Sequence, residues 1–229
     1  MWPLASGALR PMSSERGACS RQSAMLARMS AKDEPVDPEW LIPLIDCEVV
    51  VPTRQSCVAA ALREARGLVG RRPEDGRLVD PKHGLTWAGA LVYLIYCEQI
   101  GSCFRPAGSE RPRKKKALAD ALIWFGGSSD EESRALEELR NRLAHDYTLR
   151  STHPDGYRFV LTGSASEPVC TEIGTRTWAV GLPALALRVE TVFNSSLLLL
   201  ADEGRLLCHH PGGTVGVESR FFMGMVGTE

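Results

Sequence analysis

Nine consecutive residues, Leu139-Arg140-Asn141-Arg142-Leu143-Ala144-His145-Asp146-Tyr147, bring together side chains that could act on a phosphodiester. Arginine stays protonated and offers a planar fork that matches phosphate oxygens. Histidine, with an ordinary pKa of about 6.5, can take and give protons at neutral pH. Cleavage of RNA without a metal needs both properties. The ribose 2′-hydroxyl loses a proton as it attacks phosphorus, the growing negative charge is stabilised, and the leaving 5′-oxygen gains a proton. In that scheme Arg140 and His145 are the candidate catalytic pair, and Asn141 holds the scissile phosphate or orients His145. The scheme calls for no metal and no cofactor. The seven cysteines show no CxxC or Cys/His spacing of a metal site.

These groups must be positioned by a helix, which the sequence predicts from Ser129 to Thr148. Ser129-Asp130-Glu131-Glu132 reads as a capping box, and its acids suit the positive end of a helix dipole. Leu136, Leu139, Leu143 and Tyr147 form one apolar stripe, with Arg140, Arg142 and His145 away from its centre. At about 100° per residue, Arg140 and His145 stand about 140° apart on an ideal helix. They do not converge within one helix, whereas Asn141 and Arg142, four and three residues before His145, lie beside it.

The stretch resembles the RX4HXY signature of HEPN domains, a superfamily of all-helical proteins. Many members are metal-independent ribonucleases of toxin–antitoxin and phage-defence systems. Asn141 suits the polar position that commonly follows the arginine in that pattern. The resemblance implies an up-and-down helical bundle, RNA as substrate, and a homodimer in which two motifs face each other across a shared cleft. It also implies a role for Tyr147, because in HEPN toxins of this kind a cognate nucleotidyltransferase antitoxin caps the tyrosine with AMP. A bulky anion there would repel RNA and block Arg140. The alternative within the family is a non-catalytic module that binds RNA or a protein. A plainer reading needs no family. Arg140 and Arg142 would pair with Glu137, Glu138 or Asp146 on a solvated face, His145 would complement the helix C-terminus, and Tyr147 would pack in the core.

The remaining chain reads mainly as α, with a C-terminal β-hairpin and a further helix. Residues 1–37 are expected to form a disordered leader and linker, 38–201 a HEPN-like helical domain, and 202–229 a flexible tail. Trp40–Val51 is a short helix or extended arm. Thr53–Leu68 reads as a helix capped by Thr53. Leu85–Phe104 should be the central helix, buried on most sides, with a stripe of Trp87, Leu91, Leu94 and Ile95 that Glu98 could extend; Glu98 and Gln99 at its end are expected to be exposed. Gly101 marks its approaching stop. Arg105–Lys116 carries six basic residues against one acid, Glu110. Arg113, Lys114, Lys115 and Lys116, with Arg142, are candidate RNA-backbone contacts; a solvated loop is the competing reading. Lys115–Phe125 is a helix closed by Gly126 and Gly127. Tyr157–Gly163 and Val169–Val180 read as the two strands of the hairpin, at about 157–180. Pro183–Ala201 returns to helical spacing. The adjacent pair His209-His210 has no acid or cysteine spaced to complete a metal site.

Net charge is −1 with a pI near 6.5, so any nucleic-acid contact must be a local patch rather than a whole-protein field. Cys47, Cys57, Cys97 and Cys103 lie in apolar segments, which suits reduced, buried thiols and a cytoplasmic protein. Gly84–Cys97 is the longest uncharged run, too short to span a membrane and better read as a core helix.

Overall fold

In the computed structural model of the chain, the described residues are 33–45, 56–79, 86–146 (except 111 and 114), 148–150, 156–163 and 168–221 (except 203). Among them the fold is mainly α, with two small sheets. In chain order the elements are β1 (Glu34–Pro35), α1 (Pro38–Ile45), α2 (Cys57–Leu68), α3 (Trp87–Cys103), β2 (Phe104–Pro106), α4 (Ala117–Trp124) and α5 (Asp130–Asn141). A π-helical turn (Arg142–Asp146) follows, then β3 (Arg158–Thr162), β4 (Cys170–Gly174), β5 (Thr177–Gly181), α6 (Leu182–Ala201), β6 (Leu206–Cys208) and α7 (Gly213–Phe221).

α3 is the hub and packs against α2, α4, α5 and α6. Apolar residues occur around nearly its whole circumference, as a helix surrounded by others requires. Tyr93, Leu94, Tyr96, Cys97 and Ile100 are buried, whereas Trp87 at its first turn is 48% exposed and lies outside the core. Gly101 stands two residues before the helix ends at Cys103, as expected. A Cβ there would overlap the Ala117 carbonyl oxygen and come within 2.8 Å of Ala121 Cβ, so glycine allows α3 and α4 to touch backbone to backbone. α2 is capped by Ser56, whose Oγ accepts from Ala59 N at 3.2 Å; the expected cap, Thr53, lies outside the described residues.

One polar network sits in the core. Arg66 on α2 and Glu190 on α6 form two parallel hydrogen bonds, at 3.0 and 2.7 Å. The Tyr93 hydroxyl donates to Glu190 at 3.0 Å. The Arg66 guanidinium also donates to the Pro73 and Glu74 carbonyls and lies 5.0 Å from the centre of the Phe193 ring. Burial, reinforced by the Glu190 charge, pushes the Tyr93 phenol and the Cys97 thiol well up, so both stay neutral. Gly76, at φ 70°, closes the loop over this network; a Cβ there would come within 2.7 Å of Glu190 Oε2. The sequence reading did not identify this pair, because its members lie 124 residues apart.

α6 is long and apolar enough, by length and a hydropathy of 1.4, to cross a membrane, yet it carries Glu190 and packs against α3 and α4. Its buried face, with Leu185, Val189, Val192 and Leu200, packs into the helical core.

The strands correct the sequence reading twice. The expected hairpin of 157–163 with 169–180 does not form. Instead Val169–Val180 folds on itself at Thr175-Arg176, where Arg176 takes φ 54°. β4 and β5 make the hairpin, and β3 pairs with β5 in parallel, giving the order β3-β5-β4. β5 is central, so Trp178 and Val180 are buried while β4 is mostly exposed. A turn inside a continuous β-branched run left no Gly-Pro punctuation to see, although Gly174 stands just before it. The second correction concerns 202–229. Within 206–221 the expected flexible tail is folded: β6 lies between β1 and β2, and α7 buries Val217 and Phe221. Phe221 packs edge-on against Phe104 at 6.1 Å. A three-residue strand gives no readable periodicity, and its partners lie about 100 and 170 residues away. β1 also falls inside the stretch expected to be linker.

Candidate functional site

α5 begins as the sequence predicts. Ser129 Oγ accepts from Glu132 N at 3.1 Å, and three acids occupy the first turn. Ala135, Leu136, Leu139 and then Leu143 are buried against the core, which fixes the rotation of the helix. The α-helical pattern stops at Asn141 and widens into the π-helical turn, a feature the sequence did not reveal. Hydrogen bonds of a π turn span five residues instead of four. Arg140 is the penultimate residue of α5, and His145 lies within the π turn. Leu143 stays buried through the turn, and His145 and Asp146 are exposed.

Arg140 is held from two sides. Its guanidinium donates to Asn141 Oδ1 at 2.8 Å and is ion-paired with Glu98 of α3. The Glu98 and Arg140 side chains are 28% and 19% exposed. A guanidinium has five N–H donors, so these contacts leave others for a phosphate. Glu98 is the residue that sequence reasoning missed. Expected to be a solvated end, it sits on the helix-facing side of α3, and only the packing of α3 on α5 reveals its partner. Arg142 is tied along its own helix, to Glu138 at 2.9 Å and Asp146 at 3.0 Å. Both spacings are i,i+4, the pairing of the plainer sequence reading.

In the basic run from Arg105 to Lys116, Arg105, Arg113 and Lys116 are paired with acids. Arg105 is buried and pairs with Asp33 at 2.5 Å. Arg113 binds the buried Asp120 through Nε at 2.5 Å and its own backbone N–H at 2.8 Å, and reaches Asp130 at 3.1 Å. Lys116 donates to Glu137 Oε2 at 2.5 Å, one helical turn before Arg140. Lys115, at φ 60°, is exposed. Of the basic candidates, Arg113, Lys116 and Arg142 are thus paired with acids. Together Arg113 and Lys116 lay the run along α5 from Asp130 to Glu137. Lys114 and Tyr147 lie outside the described residues.

Grooves occur elsewhere. One of about 510 Å³ is bounded by Glu132, Cys170, Trp178 and Arg188, at the N-terminal end of α5. Glu132, on its wall, stands eight residues and about 12 Å of helix before Arg140. Burial, with the nearby Glu132 and Glu131 charges, pushes the Cys170 thiol up to about 12, which makes it a poor nucleophile. The two histidines are apart from the motif: His209 packs edge-on to Trp124 at 6.2 Å, and His210 Nδ1 accepts from Gly212 N at 3.2 Å. Among the described residues no group of three His, Cys, Asp or Glu side chains is gathered for a metal ion.

Comparison with known proteins gives no matching family model, no matching curated protein and no matching solved structure. Any family reading therefore rests on the motif residues themselves.

Proposed function

We propose that this chain is a metal-independent endoribonuclease of HEPN type, acting in the cytoplasm as a toxin or defence effector. The observation that carries this reading is the end of α5. An arginine with donors to spare and an exposed histidine follow one another through a π turn, the kind of helix irregularity often found at functional sites. In this reading the helices around α3 form a HEPN-like bundle, and two copies supply a composite site. Arg140 stabilises charge on the phosphate, His145 carries the proton, and Asn141 orients Arg140. Lys115 contacts the RNA backbone, joined by Lys114, Arg113, Lys116 and Arg142 where the phosphates displace their acidic partners. Tyr147 is the residue that a nucleotidyltransferase antitoxin would modify.

One observation favours a second reading, a HEPN-like module that binds RNA or protein without cutting it. Arg113, Lys116, Arg140 and Arg142 all have carboxylate partners within the chain, and a cation already paired contributes less to a phosphate site. Cleavage of a generic RNA in EDTA, wild type against His145→Ala, separates the two. Cutting that leaves a cyclic phosphate in the wild type alone supports the enzyme. Binding without cutting by either protein supports the module, and equal cutting by both removes the motif from the account.

A further inference from the structure

We propose that Glu98 is the internal counterion of Arg140, a positioning residue that sets how tightly this end of α5 binds a phosphate group. This deepens the ribonuclease reading and rests on it for the identity of the natural ligand. Three observations support it. Glu98 is the first charge after an uncharged run of α3, so its place beside α5 is fixed by the helix against which α2, α4, α5 and α6 pack. Its carboxylate pairs with Arg140 across two helices, rather than along one helix as in the two pairs of Arg142. The other terminal nitrogen of the same guanidinium, Nη1, donates to Asn141 Oδ1, while Nη2 faces Glu98.

Held at two points, the guanidinium is oriented, and its charge is largely neutralised until an anion arrives. A phosphate oxygen carries the same charge as the Glu98 carboxylate and suits the same N–H fork, so the two compete. The partial exposure of both side chains gives the anion access. Removing the carboxylate charge while keeping its shape should release Arg140 toward phosphate.

The test uses Glu98→Gln in the full chain, with two probes: inorganic pyrophosphate, and a 2′-deoxy oligonucleotide that cannot be cleaved by 2′-hydroxyl attack. The variant is expected to bind both about two- to fivefold more tightly, the scale of a partly exposed ion pair. The salt dependence of oligonucleotide binding should steepen by about 0.7, one added phosphate contact on a single strand. Glu98→Gln/Arg140→Gln should erase the gain, which a general loosening of the fold would not do. Unchanged or weaker binding of pyrophosphate by Glu98→Gln overturns the inference, even where the wild type cleaves RNA through His145. A gain for pyrophosphate that the double variant abolishes sustains it, even where the oligonucleotide does not bind; in that case the ribonucleic-acid reading fails alone.

Discussion

Among the arginine–glutamate pairs that join helices in the described residues, two differ in how much water reaches them. Arg66 and Glu190, with side chains 1% and 8% exposed, lie in the core with Tyr93, the Pro73 and Glu74 carbonyls and the Phe193 ring around them. Arg140 and Glu98 are 19% and 28% exposed and are joined by Asn141. Two charges taken out of water need every lone pair and proton satisfied, and the first pair has nearly that. Such a network holds one arrangement. The second pair keeps water at its edge, so either partner can be exchanged for a solvent ion or a ligand at low cost. The first suits structure and the second suits a site, although the residue types are the same.

The sharpest way to break this contrast is to separate loss of activity from loss of stability. His145→Ala should lower cleavage about 10²- to 10⁴-fold, the usual contribution of a general acid–base group, while leaving the urea unfolding midpoint unchanged. A matching fall in stability would make His145 structural. At the buried pair the outcome should invert. Glu190→Ala leaves the Arg66 charge buried without its partner and should cost about 3–5 kcal/mol in urea unfolding, whereas Arg140→Ala should cost under about 1 kcal/mol. Equal costs would erase the distinction between the two pairs. Gly76→Ala probes the lid of the buried network; a strained positive φ and a contact with Glu190 should together cost about 1–3 kcal/mol.

The smallest effect is a pH dependence away from both pairs. Burial holds the pKa of His209 and His210 below the ordinary value of about 6.5. As pH falls through about 6.5 the unfolded chain gains these protons before the folded one does. Stability is therefore lost from there downward, until the folded histidines protonate in turn. His209→Gln should flatten the fall in urea midpoint between pH 7.5 and 5.5. An unchanged slope would mean that other groups produce it.

Much of the helical layout was legible because its signals are local. The Ser129 cap, the first-turn acids, the stripe through Leu136, Leu139 and Leu143, and the uncharged run of α3 all lie within a few residues of what they specify. Elements whose meaning depends on distant partners were not legible. β6 is three residues long and acquires its identity from β1 and β2. The turn at Thr175-Arg176 is marked by a backbone angle that no residue type there announces. The π turn follows a sequence that reads as ordinary helix.

The sequence by itself determined that Arg140, Asn141 and His145 occur together at the end of a capped, amphipathic helix, because spacing along one helix is a local property. It also determined that the chain has enough apolar surface for a helical core. Only the tertiary structure decided that Arg140 meets Glu98, that Arg113 and Lys116 are drawn to acids of α4 and α5, and that Arg66 and Glu190 meet in the core. Pairings of that kind depend on which helix faces pack together. That choice is made by the buried apolar residues of the whole chain, not by the charged residues whose partners it assigns.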